Sequence, residues 1–264
     1  MRLALAQMRV DAGRPDLNLP RAVDWIGRAA AAGAQLVLLP EALDWGWTDP
    51  AARAGAQPIP GGDAFRQLAT AASAHRVYVA AGLTERDGER VFNAAVLIDP
   101  TGRLLLHHRK LNELSLAHGI YDPGDRLGVV RLPWGTVGLM ICADGFADGE
   151  CVSRTLGLMG ADLILSPCAW AVPPERDLVR EPYGDLWRDC HGRVAAELRL
   201  TIAAVSGVGT LTGGPWAGRS CIGNSLVMGP AGQELLTGPS GVMAEALLFL
   251  ELPPAQGLRR SRDV

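Results

Sequence analysis

The sequence predicts an α/β protein. Short apolar runs of strand length alternate with amphipathic stretches of helix length, and no linker, internal repeat or low-complexity segment breaks that alternation anywhere in the 264 residues. At 48% hydrophobic and 20% charged, the chain has enough apolar surface for a full core, and we read residues 1–264 as a single domain of mixed sheets covered by helices.

Leu3 to Met8 reads as the first strand. An Ala-rich amphipathic helix from about Leu19 to Ala32 follows, with Asp16 or Asn18 as its N-cap, Pro20 in its first turn and Gly33 at its exit. Gln35 to Leu39 is a buried apolar strand, which completes a β-α-β opening. Asp63 to His75 reads as a helix leading into the strand VYVAAG. VFNAAVLID then meets the turn signal DPTGR ahead of LLLHHRK. TVGLMIC is a buried strand, Glu150 to Met159 a helix, ADLILSP a strand, Leu186 to Leu200 a helix and TIAAVSG a strand, with a second turn at GPAGQ.

Three polar residues stand where strands end: Glu41 after QLVLLP, Lys110 after LLLHHR and Cys142 closing TVGLMIC. In α/β folds, strand ends bring distant positions together in one crevice. Lys110 is the one lysine among 25 basic residues, so this position reads as needing a compact ammonium rather than a guanidinium fork. A cysteine, an acid and a lysine brought together suit acyl transfer: the thiol needs deprotonation and the tetrahedral oxygen needs a positive partner. A strand-terminal Cys is more often a small buried hydrophobe, but the polar, turn-prone ADG after Cys142 argues for an exposed thiol.

These three places, in order and spacing, resemble the nitrilase superfamily of carbon-nitrogen hydrolases over nearly the whole chain. LALAQMRV and DLNLPRAVDWIGRAAAAGAQLVLLPEAL resemble its first strand, first helix and glutamate motif; VFNAAVLIDPTGRLLLHHRKL resembles its lysine motif. GTVGLMICADGF with GADLILSPCAW resembles its cysteine motif, and GRSCIGNSLVMGPAGQ its late strand and turn. The resemblance implies a four-layer α-β-β-α sandwich and a homodimer or larger homo-oligomer. It also implies Glu41 as base, Lys110 as oxyanion donor, Cys142 as nucleophile and the Ala143 N–H as second oxyanion donor, acting through a thioester without a cofactor.

Two departures from the family pattern stand out. Where a second glutamate is common, this chain reads NELSLAHGIYDPG, with Ala117 or His118 in its place. Glu113 lies three residues after Lys110 and would share its face if the segment were helical, so either Glu113 or His118 stands in for that glutamate. ADGF after the cysteine replaces the family's usual Pro-Glu, and the Ala143-Asp144 pair looks more like the amidase and carbamoylase branches than the Trp-Glu of true nitrilases.

The expected substrate is therefore a small amide, with ureido compounds or nitriles as alternatives, and a catalytically silent scaffold relative as a further one. Trp47, Tyr121 and Trp170 are candidate pocket walls, His118 a candidate contact, and Asp144 either a reader of a substrate amine or a cap.

Net charge −3 gives no reason to expect nucleic acid or an anionic membrane, and the basic residues Arg259, Arg260 and Arg262 read as a solvated end. Five cysteines without a CxxC pair suit reduced thiols in a cytoplasmic setting. The opening residues lack a signal-peptide layout and no apolar run reaches bilayer length. The five histidines include no metal-ligand spacing, so no metal is expected.

Overall fold

The apolar runs become the central strands of two six-stranded sheets. In the computed structural model, which describes residues 1–253, one sheet comprises β1 (Arg2–Gln7), β2 (Leu36–Leu38), β3 (Tyr78–Asp87), β4 (Arg90–Ile98), β5 (Leu104–Arg109) and β15 (Ala246–Glu251), in the order β15-β1-β2-β3-β4-β5. The second comprises β6 (Val129–Leu132), β7 (Gly135–Leu139), β8 (Leu163–Cys168), β10 (Thr201–Ser206), β13 (Leu226–Met228) and β14 (Glu234–Thr237), in the order β14-β13-β10-β8-β7-β6. A small third sheet joins β9 (Ala171–Val172), β11 (Val208–Thr210) and β12 (Ser220–Ile222). The basic residues Arg259, Arg260 and Arg262 lie outside the described residues.

Parallel pairing of β1 with β2, β2 with β3, β7 with β8 and β8 with β10 requires crossovers, and the helices supply them. These are α1 (Pro15–Ala31), α2 (Ala51–Gly55), α3 (Asp63–His75), α4 (Cys151–Leu158) and α5 (Asp185–Leu198). One apolar cluster joins Trp25, Ile26 and Leu68 of α1 and α3 to Ala4, Val37 and Val79 of the first sheet. A second joins Leu3, Leu5 and Leu38 to Val137, Leu165 and Val205 across the two sheets, and a third joins Ile164 and Ile202 to Leu156, Val194 and Leu198 of α4 and α5. The layers therefore run α-β-β-α. Each fully buried leucine of these layers contributes about 2 kcal/mol through lost apolar exposure.

The first helix begins four residues before the position expected from the sequence. Pro15 takes its first position, so Asp16 and Asn18 lie inside the helix rather than at its cap, and Pro20 sits in the second turn. Proline's preset φ and missing donor suit the first position, where no intrahelical acceptor is available. Asn18 is buried and serves tertiary structure instead, donating to Asp11 O and Asp44 O.

This topology gathers three strand ends. β5 returns antiparallel to β4, itself antiparallel to β3, so Lys110 emerges on the same side as Glu41 beyond β2. Cys142 follows β7, and Cys168 ends the neighbouring β8, whose carbonyl accepts the Glu41 N–H at 3.3 Å. Gly82 lets the strands close here, since a Cβ on it would lie 2.5 Å from Glu41 Cα.

Candidate active site

At the ends of β2, β4 and β5, a buried polar cluster forms. Lys110 Nζ lies 2.7 Å from Glu41 Oε1 and 3.4 Å from Glu113 Oε2, and all three side chains are at most 2% exposed. Asn93 Nδ2 donates to the same Glu41 Oε1 at 2.6 Å, while the Asn93 carbonyl accepts the Lys110 N–H. Glu41 Oε2 has no hydrogen-bond partner among the described residues. One oxygen is thus held and the other is available to take a proton.

Cys142 opens a 3-10 turn, Cys142–Gly145, with φ +43°, a left-handed conformation uncommon outside glycine. This turn departs sharply from β7 and leaves the cysteine half-buried. Ala143 comes next, and the first N–H groups of such a turn have no acceptor within it.

The charges explain the resting protonation. The neighbouring Cys168 thiol, burial and the Glu41 charge together push the Cys142 thiol well above its ordinary range, against the pull of Lys110. At rest Cys142 is therefore held as a thiol, and its ionisation needs a base. Burial works to lower the Lys110 pKa, but Glu113 and Glu41 carry it well above the usual value, so it stays an ammonium. Glu113 is raised by burial and by Glu41, with Lys110 opposing.

Glu113 reaches Lys110 without a helix. Its segment is irregular up to the 3-10 turn Ser115–Ala117, so the contact comes from the loop's path rather than from helical spacing. His118 is exposed, its ring nitrogen 3.2 Å from the Glu113 carbonyl. Both line a cleft of about 480 Å³ with Tyr121, Ala143, Phe146 and Asp148.

The other expected wall residues are distributed differently. Trp47 is buried beside the cluster, its ring 5.5 Å from Lys110 Nζ and edge-on to Trp216 at 5.1 Å. Trp170 is 1% exposed and stacked on Trp187 at 4.7 Å, within the core between β8 and α5. Asp144, expected to meet a substrate amine or act as a cap, is fully buried. All its acceptor positions face protein donors, including the Ile141 N–H that closes its own turn.

Asn93 and His108 are functional candidates that reading by motif passed over. Asn93 had a signal, a polar residue inside the apolar run VFNAAVLI. His108, beside the more visible His107, had none. Among the described residues, no group of three or more His, Cys, Asp or Glu is arranged to hold a metal, and no helix is long and apolar enough to cross a membrane.

The carbon-nitrogen hydrolase family model matches residues 2–253, and the chain belongs to that family. It is 36% identical over 178 residues to a nitrilase of Pyrococcus abyssi, covering 66% of each chain. To an omega-amidase of Bos taurus it is 31% identical over 180 residues, covering 64% of this chain and 63% of that one. The aligned part thus spans slightly less than two thirds of these relatives' length. Among solved structures, an amidase from Nesterenkonia sp. superposes with TM-score 0.81 at 27% identity, covering 96% of this chain and 90% of that one. A double mutant of the Nesterenkonia sp. AN1 amidase, in complex with acrylamide, also gives a TM-score of 0.81.

Proposed function

We propose that this protein hydrolyses the C–N bond of a small, uncharged amide through Cys142, Glu41 and Lys110, with Glu113 holding the lysine. The arrangement that carries this reading is the Glu41 carboxylate, with Oε1 fixed by Lys110 and Asn93 and Oε2 free, on a residue whose N–H donates to the Cys168 carbonyl at the end of β8, beside the strand that Cys142 follows. Glu41 Oε2 takes the thiol proton as the sulfur attacks the amide carbon. The tetrahedral oxygen is met by Lys110 Nζ and the Ala143 N–H. The proton passes from Glu41 to the departing nitrogen, which leaves as ammonia or an amine, and a thioester remains. Water that has given its proton to the same carboxylate then releases the acid and restores the thiol.

The cleft supports an uncharged substrate. Among the described residues lining it there is no Lys or Arg; Asp148 adds an exposed acid, while Glu113 and Asp122 are balanced by Lys110 at 3.4 Å and Arg53 at 3.7 Å. The similarity to an amidase that binds acrylamide supports the same class. The larger cavity, about 650 Å³, lies at the opposite strand ends, beside Gly135, Leu163 and Thr201, and has no part in this chemistry.

Cys142→Ala and Cys142→Ser test the reading. Both should fold and release no ammonia from propionamide or butyramide, while mass spectrometry of the wild type with a slow amide should show an acyl adduct on Cys142. Turnover by the Ala variant, or an adduct on another cysteine, would overturn it.

A further inference from the structure

The two sides of the site are tied together by one buried carboxylate. Asp144 Oδ2 accepts the Ile141 N–H at 3.0 Å and lies 2.8 Å from His108 Nε2. Asp144 Oδ1 accepts the N–H groups of Leu111 at 3.2 Å and Asn112 at 2.9 Å, and Asn112 Nδ2 at 3.2 Å. Ile141 and Asp144 bracket Cys142 and Ala143; His108, Leu111 and Asn112 bracket Lys110. The nucleophile turn and the lysine turn belong to different sheets, and this carboxylate is bonded to both.

Strand alternation explains how His108 gets there. His107 and Arg109 project to one face of β5, where both meet Glu85, at 2.8 Å and 2.6 Å. His108 projects to the other face and is 2% exposed. Burial works to raise the Asp144 carboxyl, but the hydrogen bond from His108 and the charge of Lys110 hold it below its ordinary range. An ionised carboxylate only accepts, so His108 Nε2 carries the proton in this pair.

We propose that Asp144 and His108 act as positioning residues that set the distance from the Cys142 sulfur and Ala143 N–H to the Lys110 ammonium. This rests on the amide-hydrolase reading for its effect on turnover, although the clasp itself does not. With each oxygen of Asp144 receiving at least two donors, Asp144→Asn must turn an NH2 group toward N–H groups in either orientation. The turns then part, and misplacement by ~1 Å costs about a hundredfold in rate.

Asp144→Asn, His108→Leu and His108→Gln should be compared with wild type by circular dichroism, by the rate of Cys142 alkylation with iodoacetamide, and by kcat and KM for butyramide, with kcat expressed per alkylatable Cys142. Asp144→Asn and His108→Leu should fold, alkylate Cys142 at least about threefold more slowly, and lose about ten- to a hundredfold in kcat with KM nearly unchanged. His108→Gln, which keeps a donor able to reach Asp144, should recover most of the loss seen in His108→Leu. Wild-type kcat in His108→Leu, or equal loss in both His108 variants, overturns the proposal. So does a loss confined to KM, which would make Asp144 a substrate contact. If Asp144→Asn does not fold, the His108 pair decides. Should wild type hydrolyse no amide, the proposed function fails, and the alkylation rates still decide the clasp: unchanged rates in Asp144→Asn and His108→Leu overturn it.

Discussion

Lys110 Nζ and Glu41 Oε1 lie 2.7 Å apart with the lysine 1% exposed and the glutamate side chain fully buried. A buried pair at this distance fixes the direction of the ammonium as well as its charge. Arginine spreads the same charge over a planar fork that cannot aim it from the single point Lys110 Nζ occupies, 2.7 Å from Glu41 and 3.4 Å from Glu113. Lys110→Arg should therefore lose acylation by roughly 3 kcal/mol, about two powers of ten, nearly as badly as Lys110→Ala. Single-turnover ammonia release by both variants checks this; near-normal turnover by the Arg form would remove Lys110 from the oxyanion role.

Glu41→Gln removes the free acceptor Oε2 while preserving the shape that Asn93 and Lys110 enclose. Its rate should fall by about 10² to 10⁴, the range for a positioned base. A rate within a few-fold of wild type, with a lowered melting temperature, would make the carboxylate structural.

Butyramide and the succinamate anion present similar chains that differ in charge. Against the exposed Asp148 of the cleft, a like charge at ~8 Å costs about 0.5–2 kcal/mol, so kcat/KM for succinamate should be roughly two- to thirtyfold lower. Equal values would show that a cation outside the cleft receives the carboxylate.

A methyl group at Gly145 would sit 2.5 Å from His191 Cε1, a ring buried in α5, and 3.3 Å from Met140 Cε. Gly145→Ala should cost about 1–3 kcal/mol and displace the turn that Cys142 opens. In a His191→Ala background the same change should cost less, because the truncated side chain leaves room. Thermal melts of the four proteins measure the coupling; additive losses would contradict the packing argument.

His191 is fully buried, neither ring nitrogen has a partner among the described residues, and desolvation lowers its pKa from 6.5 to about 4. Because the folded value is depressed, the stability from its neutral form is whole above pH 6.5 and is lost as the pH falls toward 4. Between pH 8 and pH 5 the loss is about 2 kcal/mol. The melting temperature of His191→Leu should accordingly fall less than that of wild type over this interval, by about 4–8 °C. Parallel melting curves for the two proteins would refute a buried neutral imidazole.

The alternation of apolar runs and amphipathic stretches was enough to place the helix Asp63–His75 at its observed limits and to locate β1, β2, β7, β8 and β10, because burial on one or two faces imposes a period on the residues themselves. Glu41, Lys110 and Cys142 stood out as polar residues at strand ends and in a recognisable order. Local sequence says nothing about distance between strands, however. Glu113 meets Lys110 through an irregular loop, Trp170 packs into the helical layer, and Asp144, read as a substrate contact or a cap, caps its own turn and also bonds it to a second turn 32 or more residues away. Asn93 and His108 gain their partners only when β4 and β5 pair in one register and the second sheet closes over the first. Periodicity is written along the chain, whereas the partner of a buried polar atom is chosen by packing, which obliges each buried donor and acceptor to find another wherever the fold has brought one.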